Sequence, residues 1–374
     1  EIAVMVLLTV ILILYFLLLI ALLTGWKRAM QPAPEDGSAK EPLISVVIPV
    51  RNEEMTIGNL LTTLAAQEYR NFEVIVVNDD SEDETLWTIS RYELKNLQVI
   101  HSPGKGKKAA ISAGVRASRG SIVVTTDADC RVPQQWLRQL RAPFRDPEVM
   151  FAFGGVRMEG SDSFFDSLQR MEFSSLIGTG ASTAALGIPT MCNGANLAFR
   201  RKVFSEVKGY DDNLQVPSGD DEFLMRKVSE RYMRGVRFVP SPEAVVTTST
   251  QPDVGSFFNQ RVRWASKWKY NSSRGTQLLA VSGIVFQIAF IITWFYILSP
   301  HILHVLFLMT IKIILEAAFL LQVSRFLNSS WNWLAFLSLQ VFHPLYAIGV
   351  GVASFFRPFE WKHRIFKPNS RVFR

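Results

Sequence analysis

Cysteine is scarce: the 374 residues hold only Cys130 and Cys192. That excludes a fold stapled by several disulfides and suits a reducing compartment. Charge is thin as well, with Asp, Glu, Lys and Arg at 20% of the chain, which excludes a disordered, self-repelling polymer. No Lys or Arg precedes the first apolar run, Ile2–Thr24, so that run lacks the positive start of a cleaved export signal. Both the strand-linked G-x-x-x-x-G-K-[ST] phosphate loop and the G-x-G-x-x-G dinucleotide turn are missing. No zinc-knuckle, helix-turn-helix or RNP-type pattern accompanies the net charge of +7, so no nucleic acid is expected as a partner.

What is abundant is apolar. Hydrophobic residues make up 48% of the chain and the mean hydropathy is positive, too apolar for a wholly soluble protein of this length. The excess sits at the two ends. Ile2–Thr24 is uncharged and long enough, at about 1.5 Å per residue, to cross a hydrocarbon core of roughly 30 Å. Lys27 and Arg28 follow it, as expected of an uncleaved anchor.

Three apolar blocks close the chain. Leu278–Ser299 is uncharged, and His301–Gln322 holds only Lys312 and Glu316, spaced to neutralise each other on one helix face. Trp331–Phe356 is interrupted by His343-Pro344 and followed by a tail with Arg357, Lys362, Arg364, Lys367, Arg371 and Arg374 against a single acid, Glu360. Positive-inside placement of both Lys27-Arg28 and this tail conflicts with four full crossings. A last block that re-enters and returns, or a further span ahead of Glu1, would each resolve this, and the re-entrant or interfacial block is the expectation. The basic surplus belongs beside a lipid bilayer, where cations meet anionic headgroups.

Between the ends, strands and helices alternate. Ile44–Pro49, Phe72–Val77, Leu97–His101 and Ser121–Thr126 read as strands. Thr56–Gln67, Glu84–Leu94 and Lys107–Ala117 read as the helices between them, which predicts an α/β parallel sheet. Ligands bind beyond the carboxyl ends of such strands. There the chain is acidic: Arg51-Asn52-Glu53-Glu54 after the first strand, Asn78-Asp79-Asp80-Ser81 after the second, Asp127-Ala128-Asp129 after the fourth. Carboxylates converging on one rim repel unless a cation or a donor-rich ligand lies among them. Asp127 and Asp129, with no His or Cys nearby in sequence, favour Mg²⁺ or Mn²⁺ over zinc. Gly104-Lys105-Gly106-Lys107-Lys108 before a helix suits a phosphate, or is simply a solvated basic turn.

Seven motifs in order, ISVVIPVRNEE, VVNDDSEDET, GKGKKAAISAG, TTDADC, CNGANLAFRR, SGDDEFL and QRVRW, resemble the membrane-bound family 2 glycosyltransferases, the cellulose, chitin and hyaluronan synthase group. The resemblance spans about Pro42 to Lys269 and implies a GT-A fold, a Rossmann-like and mainly parallel sheet, flanked by transmembrane helices. It divides the chain into an N-terminal transmembrane helix at 1–25, a linker at 26–41 and a glycosyltransferase domain at 42–250. An amphipathic interface segment at 251–276, a transmembrane region at 277–356 and a basic cytoplasmic tail at 357–374 follow.

By the same resemblance, Glu53, Asp79 and Asp80 would hold the uracil and ribose of a nucleotide sugar, with Lys107 near the nucleotide and Asp127 and Asp129 on the cation. Asp221 would be the general base, with Asp220 beside it or capping the helix that follows. Gly194 and Asn196 would shape the acceptor pocket, and in Gln260-Arg261-Val262-Arg263-Trp264 the arginines would approach the diphosphate while Trp264 stacks on the acceptor sugar. The segment with Arg261, Arg263, Lys267, Lys269 and Arg274 also reads as an amphipathic helix on headgroups. A single base implies inversion. The expected enzyme is a multi-pass glycosyltransferase of the cell membrane, its catalytic domain cytoplasmic, extending a polysaccharide; transfer of one sugar to a lipid or polyprenyl-phosphate carrier is the alternative.

Overall fold

The computed structural model describes residues 2–32, 41–214, 216, 218–270, 274–362 and 364–366; half of the expected linker and the tail cations Lys367, Arg371 and Arg374 lie outside them. Seven strands form the main sheet in the order β3-β2-β1-β4-β7-β5-β8. They are β1 (Ile44–Val50), β2 (Phe72–Asn78), β3 (Leu97–His101), β4 (Ile122–Thr125), β5 (Phe151–Phe153), β7 (Leu197–Arg200) and β8 (Val236–Phe238). β1 pairs in parallel with β2 and β4, and β2 with β3. β7 runs antiparallel to both of its neighbours. β6 (Val156–Glu159) and β9 (Val246–Ser249) make a separate parallel pair.

The helices of this domain are α2 (Ile57–Ala65), α3 (Thr85–Ser90), α4 (Lys107–Ala117), α5 (Trp136–Arg141), α6 (Phe164–Ala185), α7 (Arg201–Glu206), α8 (Asp220–Arg231) and α9 (Val254–Ser266). The expected stripe on α2 is the one buried: Ile57, Leu60, Leu61 and Leu64. α3 is shorter than expected, because the chain turns at Arg91 and packs Tyr92 and Leu94 against the core.

The first helix, α1 (Ile2–Ala29), runs past the expected boundary at residue 25. Trp26 explains why: its ring is buried against Phe238, Phe319 and Phe326, so the anchor's last turn belongs to the catalytic core. Gly25 permits this fit, since a Cβ there would lie 2.5 Å from the Ser182 carbonyl oxygen on α6. The anchor is welded to the domain rather than tethered to it.

Among the described residues, four helical segments are long and apolar enough to span a membrane: α1, Ala280–Leu298 within and just past α10 (Arg274–Phe295), α11 (Ile302–Phe326) and α12 (Trp333–Phe356). Their contacts separate them. Met5 and Leu8 of α1 cluster with Ala289 and Val305 at the end remote from the sheet, while α11 returns to bury Val323 and Leu327 in the catalytic core. No α12 residue joins that remote cluster. α12 begins beside Met171 of α6 at Phe336, stacks Tyr346 on Phe257 of α9, and leads into a hairpin of β10 (Phe359–Trp361) and β11 (Arg364–Phe366) at the catalytic domain. It is one continuous helix with Pro344 inside, so the expected interruption does not break it. Its C-terminal end leads into the tail hairpin, which rests on the catalytic domain. The expected basic tail therefore begins as a folded hairpin, not as a free extension.

Candidate active site

The carboxyl ends of β1, β2 and β4 open onto one cavity of about 1020 Å³. Asn52 and Asp80, just past β1 and β2, both have positive φ, 51° and 55°, the kind of strain that collects at ligand rims. Buried Arg51 braces the two loops: Nη1 donates to the carbonyls of Asp79 at 2.8 Å and Asp80 at 2.5 Å, and Nη2 to Glu82 at 2.9 Å.

Glu53 and Asp79 line this end of the cavity. Both Asp79 carboxylate oxygens accept from the Gly106 amide at 3.0 Å, so the glycine-lysine loop is docked onto an acid. A cation on Asp79 was not legible in sequence: Arg364 of the tail hairpin donates to it at 2.9 Å. Lys362 likewise reaches Glu53 at 2.9 Å and the Asn52 carbonyl at 3.2 Å. Burial still raises the Glu53 pKa, outweighing Lys362. Any ligand that bonds these carboxylates must share them with, or displace, the hairpin's cations. Asp80 is a correction: it is exposed and outside the cavity lining, because its left-handed backbone turns it to solvent while only its carbonyl is used.

Asp127 and Asp129 face the same cavity. The protein packed around Asp129, and Asp127 beside it, raise its pKa, so the pair gains from a cation between them. Lys107 lies 2.7 Å from Asp127 and 3.2 Å from Asp220, and burial fails to lower its pKa against those acids. Among the described residues no three His, Cys, Asp or Glu side chains converge as a metal cage. Two hard carboxylates with room for solvent and phosphate oxygens fit Mg²⁺ or Mn²⁺. Burial raises the thiol pKa of Cys130 and of Cys192, which suits inert packing groups rather than nucleophiles.

Asp220 and Asp221 form the first turn of α8. The expectation that Asp220 caps this helix is corrected: Gly219 holds that position with φ of 81°, which a side chain would resist. Asp220 is buried, which pushes its pKa up, but Lys107 and Lys108 prevail and hold it low. Asp221 borders the cavity; one oxygen accepts from the Gly194 amide at 3.0 Å, the other from the Glu222 amide at 2.8 Å. Lys267 stands 4.0 Å away and pairs with Glu222 at 2.7 Å. Gly194 leaves little room for a side chain, since a Cβ would lie 3.0 Å from the Lys107 ammonium and 3.1 Å from Asp220. Asn196 is a second correction. It is wholly buried, donating to the Gly155 and Ala244 carbonyls at 2.8 Å and accepting from the Trp136 indole at 2.9 Å, so it braces strands instead of lining a pocket.

On α9, Gln260, Arg263 and Trp264 line the cavity, with Arg263 in the field of Asp127, Asp220, Asp129 and Asp221, and the Trp264 ring tilted against Phe173. Arg261 also borders the cavity, but its guanidinium is engaged elsewhere. It is buried, lies 4.3 Å over both Phe257 and Trp264, and donates to Glu172 of α6 at 3.1 and 2.5 Å. Arg261→Ala leaves Glu172 charged and unpaired, at an expected cost of about 3–5 kcal/mol. Thermal unfolding in detergent checks this, and adding Glu172→Gln should recover part of the loss.

The description of glycosyl transferase family 2 matches residues 45–208. A poly-beta-1,6-N-acetyl-D-glucosamine synthase of Staphylococcus aureus is 26% identical over 269 residues, covering 69% of this chain and 64% of that protein. The synthase of the same name from Staphylococcus epidermidis is 25% identical over 277 residues. The chain thus spans 64% of the length of these relatives. The mannosyltransferase PcManGT of Pyrobaculum calidifontis, solved with GDP-Man and Mn²⁺, superposes over 94% of this chain and 97% of its own, with a TM-score of 0.61 and 18% identity. The architecture is thus a GT-A-like α/β core flanked by apolar helices. The similarity to glycosyl transferase family 2 thus covers residues 45–208, in a chain whose apolar helices are long enough to cross a membrane.

Proposed function

We propose that this chain is an inverting glycosyltransferase that moves a sugar from a nucleotide sugar, in the first instance a UDP-sugar, to a hydroxyl of a growing glycan at the membrane. One observation carries this reading: a single cavity holds Glu53 and Asp79 at one end, the Asp127–Asp129 pair beside them, and Asp221, held by two backbone amides, while the other carboxylates lining it, Asp220, Glu222 and Glu172, are paired with Lys107, Lys267 and Arg261. Glu53 and Asp79 accept from base N–H and ribose hydroxyls. Asp127 and Asp129 would hold Mg²⁺ or Mn²⁺, which when bound neutralises the departing diphosphate. Arg263 adds fixed positive charge on the same side. Asp221 takes the acceptor proton as the hydroxyl attacks, and Trp264 offers a face for the acceptor sugar.

Among the described residues the other carboxylates beside Asp221 in the cavity are paired with cations, which favours direct displacement by the acceptor, so that an α-linked donor yields a β-linked product. The two relatives named above are poly-beta-1,6-N-acetyl-D-glucosamine synthases, which supports extension of a glycan. Lys27, Arg28 and the cationic hairpin share the catalytic side and favour a cytoplasmic domain. Membranes carrying the protein, supplied in turn with labelled UDP- and GDP-sugars, should transfer one of them with inversion. An α-linked product from an α-linked donor would refute the direct-displacement reading.

A further inference from the structure

The start of α4 reaches both the donor acids and the acids of α8. The Gly106 amide is docked on Asp79, and Lys107 joins Asp127 to Asp220. The next residue, Lys108, is buried outside the cavity lining and has no part in the chemistry above. Its ammonium donates to two backbone carbonyls, Asn213 at 2.9 Å and Val216 at 3.0 Å, and lies 4.6 Å over the ring of Phe223. Asn213 and Val216 belong to the run of turns that leads into α8, where the Val216 amide donates to the Asn213 carbonyl at 3.1 Å. Phe223 is in the first turn of α8 itself. One ammonium therefore grips the chain ahead of Asp221 and again just beyond it. Between the two grips lies Gly219, whose left-handed φ of 81° lets the backbone pivot, so the direction of the Asp221 carboxylate depends on what pins the chain on either side. Stability does not call for a lysine at this place. Burial pulls its pKa down to about 7, with Asp220 and Asp221 opposing the fall and Lys267 and Lys227 adding to it. Holding a cation there costs free energy that an apolar side chain of similar shape would not.

We propose that Lys108 is a positioning residue for the base: by clamping the Asn213 and Val216 carbonyls on one side and the Phe223 ring on the other, it aims Asp221 at the acceptor hydroxyl. This rests on the transfer reaction proposed above, in which Asp221 takes the acceptor proton, and adds to it a residue that never touches substrate. It also gives the two adjacent lysines of α4 separate tasks. Lys107 answers to the cation-binding acids and Lys108 to the base, so one turn of helix sets the distance between donor and acceptor chemistry. That distance matters, because a misplacement of about 1 Å can cost roughly 100-fold in rate.

The test uses the full chain in detergent and the nucleotide sugar that it transfers. Lys108→Met keeps the length of the side chain and loses its charge and its donors. It is expected to lower kcat by roughly 10- to 100-fold, while UDP binding with Mn²⁺ in calorimetry and the thermal midpoint stay unchanged or rise. Lys108→Arg, still charged and able to donate to the same carbonyls, should keep more of the rate than the methionine variant. Phe223→Leu takes the ring from under the ammonium and should likewise lower kcat at unchanged UDP affinity. Lys202→Met, exposed on α7, should match the unaltered protein in every readout. Normal kcat in Lys108→Met beside an active unaltered protein overturns the assignment. So does a fall in thermal midpoint and UDP binding in step with the rate, which would make Lys108 a packing residue. Failure of the transfer reading shows separately, in the unaltered protein: with no sugar moved from any nucleotide donor, that reading falls and this assignment with it.

Discussion

Asp221→Asn is expected to lower kcat by about 10²–10⁴-fold while nucleotide affinity stays near that of the unchanged protein. Asparagine keeps the shape and can still accept from the Gly194 amide, the bond that holds Asp221 at 3.0 Å. What it loses is the capacity to take a proton. Asp220 is the control, because its buried carboxylate is already committed to Lys107 at 3.2 Å, and Lys107 also pairs with Asp127. Asp220→Asn should therefore disturb the cation requirement along with the rate. Steady-state kinetics against both donor and cation separates the two. Normal kcat in Asp221→Asn would remove it from the role of base.

The second large effect concerns Asp129. Asp129→Ala, or addition of EDTA to the unaltered protein, should reduce transfer by at least about 100-fold. The physical reason is the pair itself: two carboxylates two residues apart repel, and the Asp129 pKa is already raised by the protein around it and by Asp127. A divalent cation relieves that repulsion, whereas alanine removes half of the protein's ligands. A readout independent of turnover is Mn²⁺ binding in the presence of UDP, followed by electron paramagnetic resonance, which should weaken in Asp129→Ala. Full transfer in EDTA would sink the cation assignment.

Much of this was legible because strand ends are a strong local signal. Runs such as ISVVIPV and FEVIVVN can only be buried strands, and the acids that follow them have to emerge on one rim. The arginines of α9 show a signal that could have been read further. Arg261 and Arg263 stand two residues apart, about 200° around a helix, so only one of them could face the acids. Arg261 shares its face with Phe257 and Trp264, four before and three after, and takes the inner position. Its partner Glu172, 89 residues upstream in a largely buried helix, offered no comparable cue. Asn196 misled for a related reason. A polar residue inside a motif looks like a ligand contact, yet buried carbonyls and an indole N–H also need partners, and here they claimed it. Lys362 and Arg364 pair with acids some 300 residues earlier, which only the folded chain could reveal.

The hairpin has a mechanical consequence. It continues directly from α12, so the charges resting on Glu53 and Asp79 are bolted to a helix that borders the far end of the same cavity. A slide of α12 by one residue along its axis, about 1.5 Å, would strain contacts of 2.9 Å past useful length. The two ion pairs thus work as a latch whose bolt is thirty residues long. Filling one end of the cavity and freeing the acids at the other would draw on the same free energy, and by linkage each would favour the other equally.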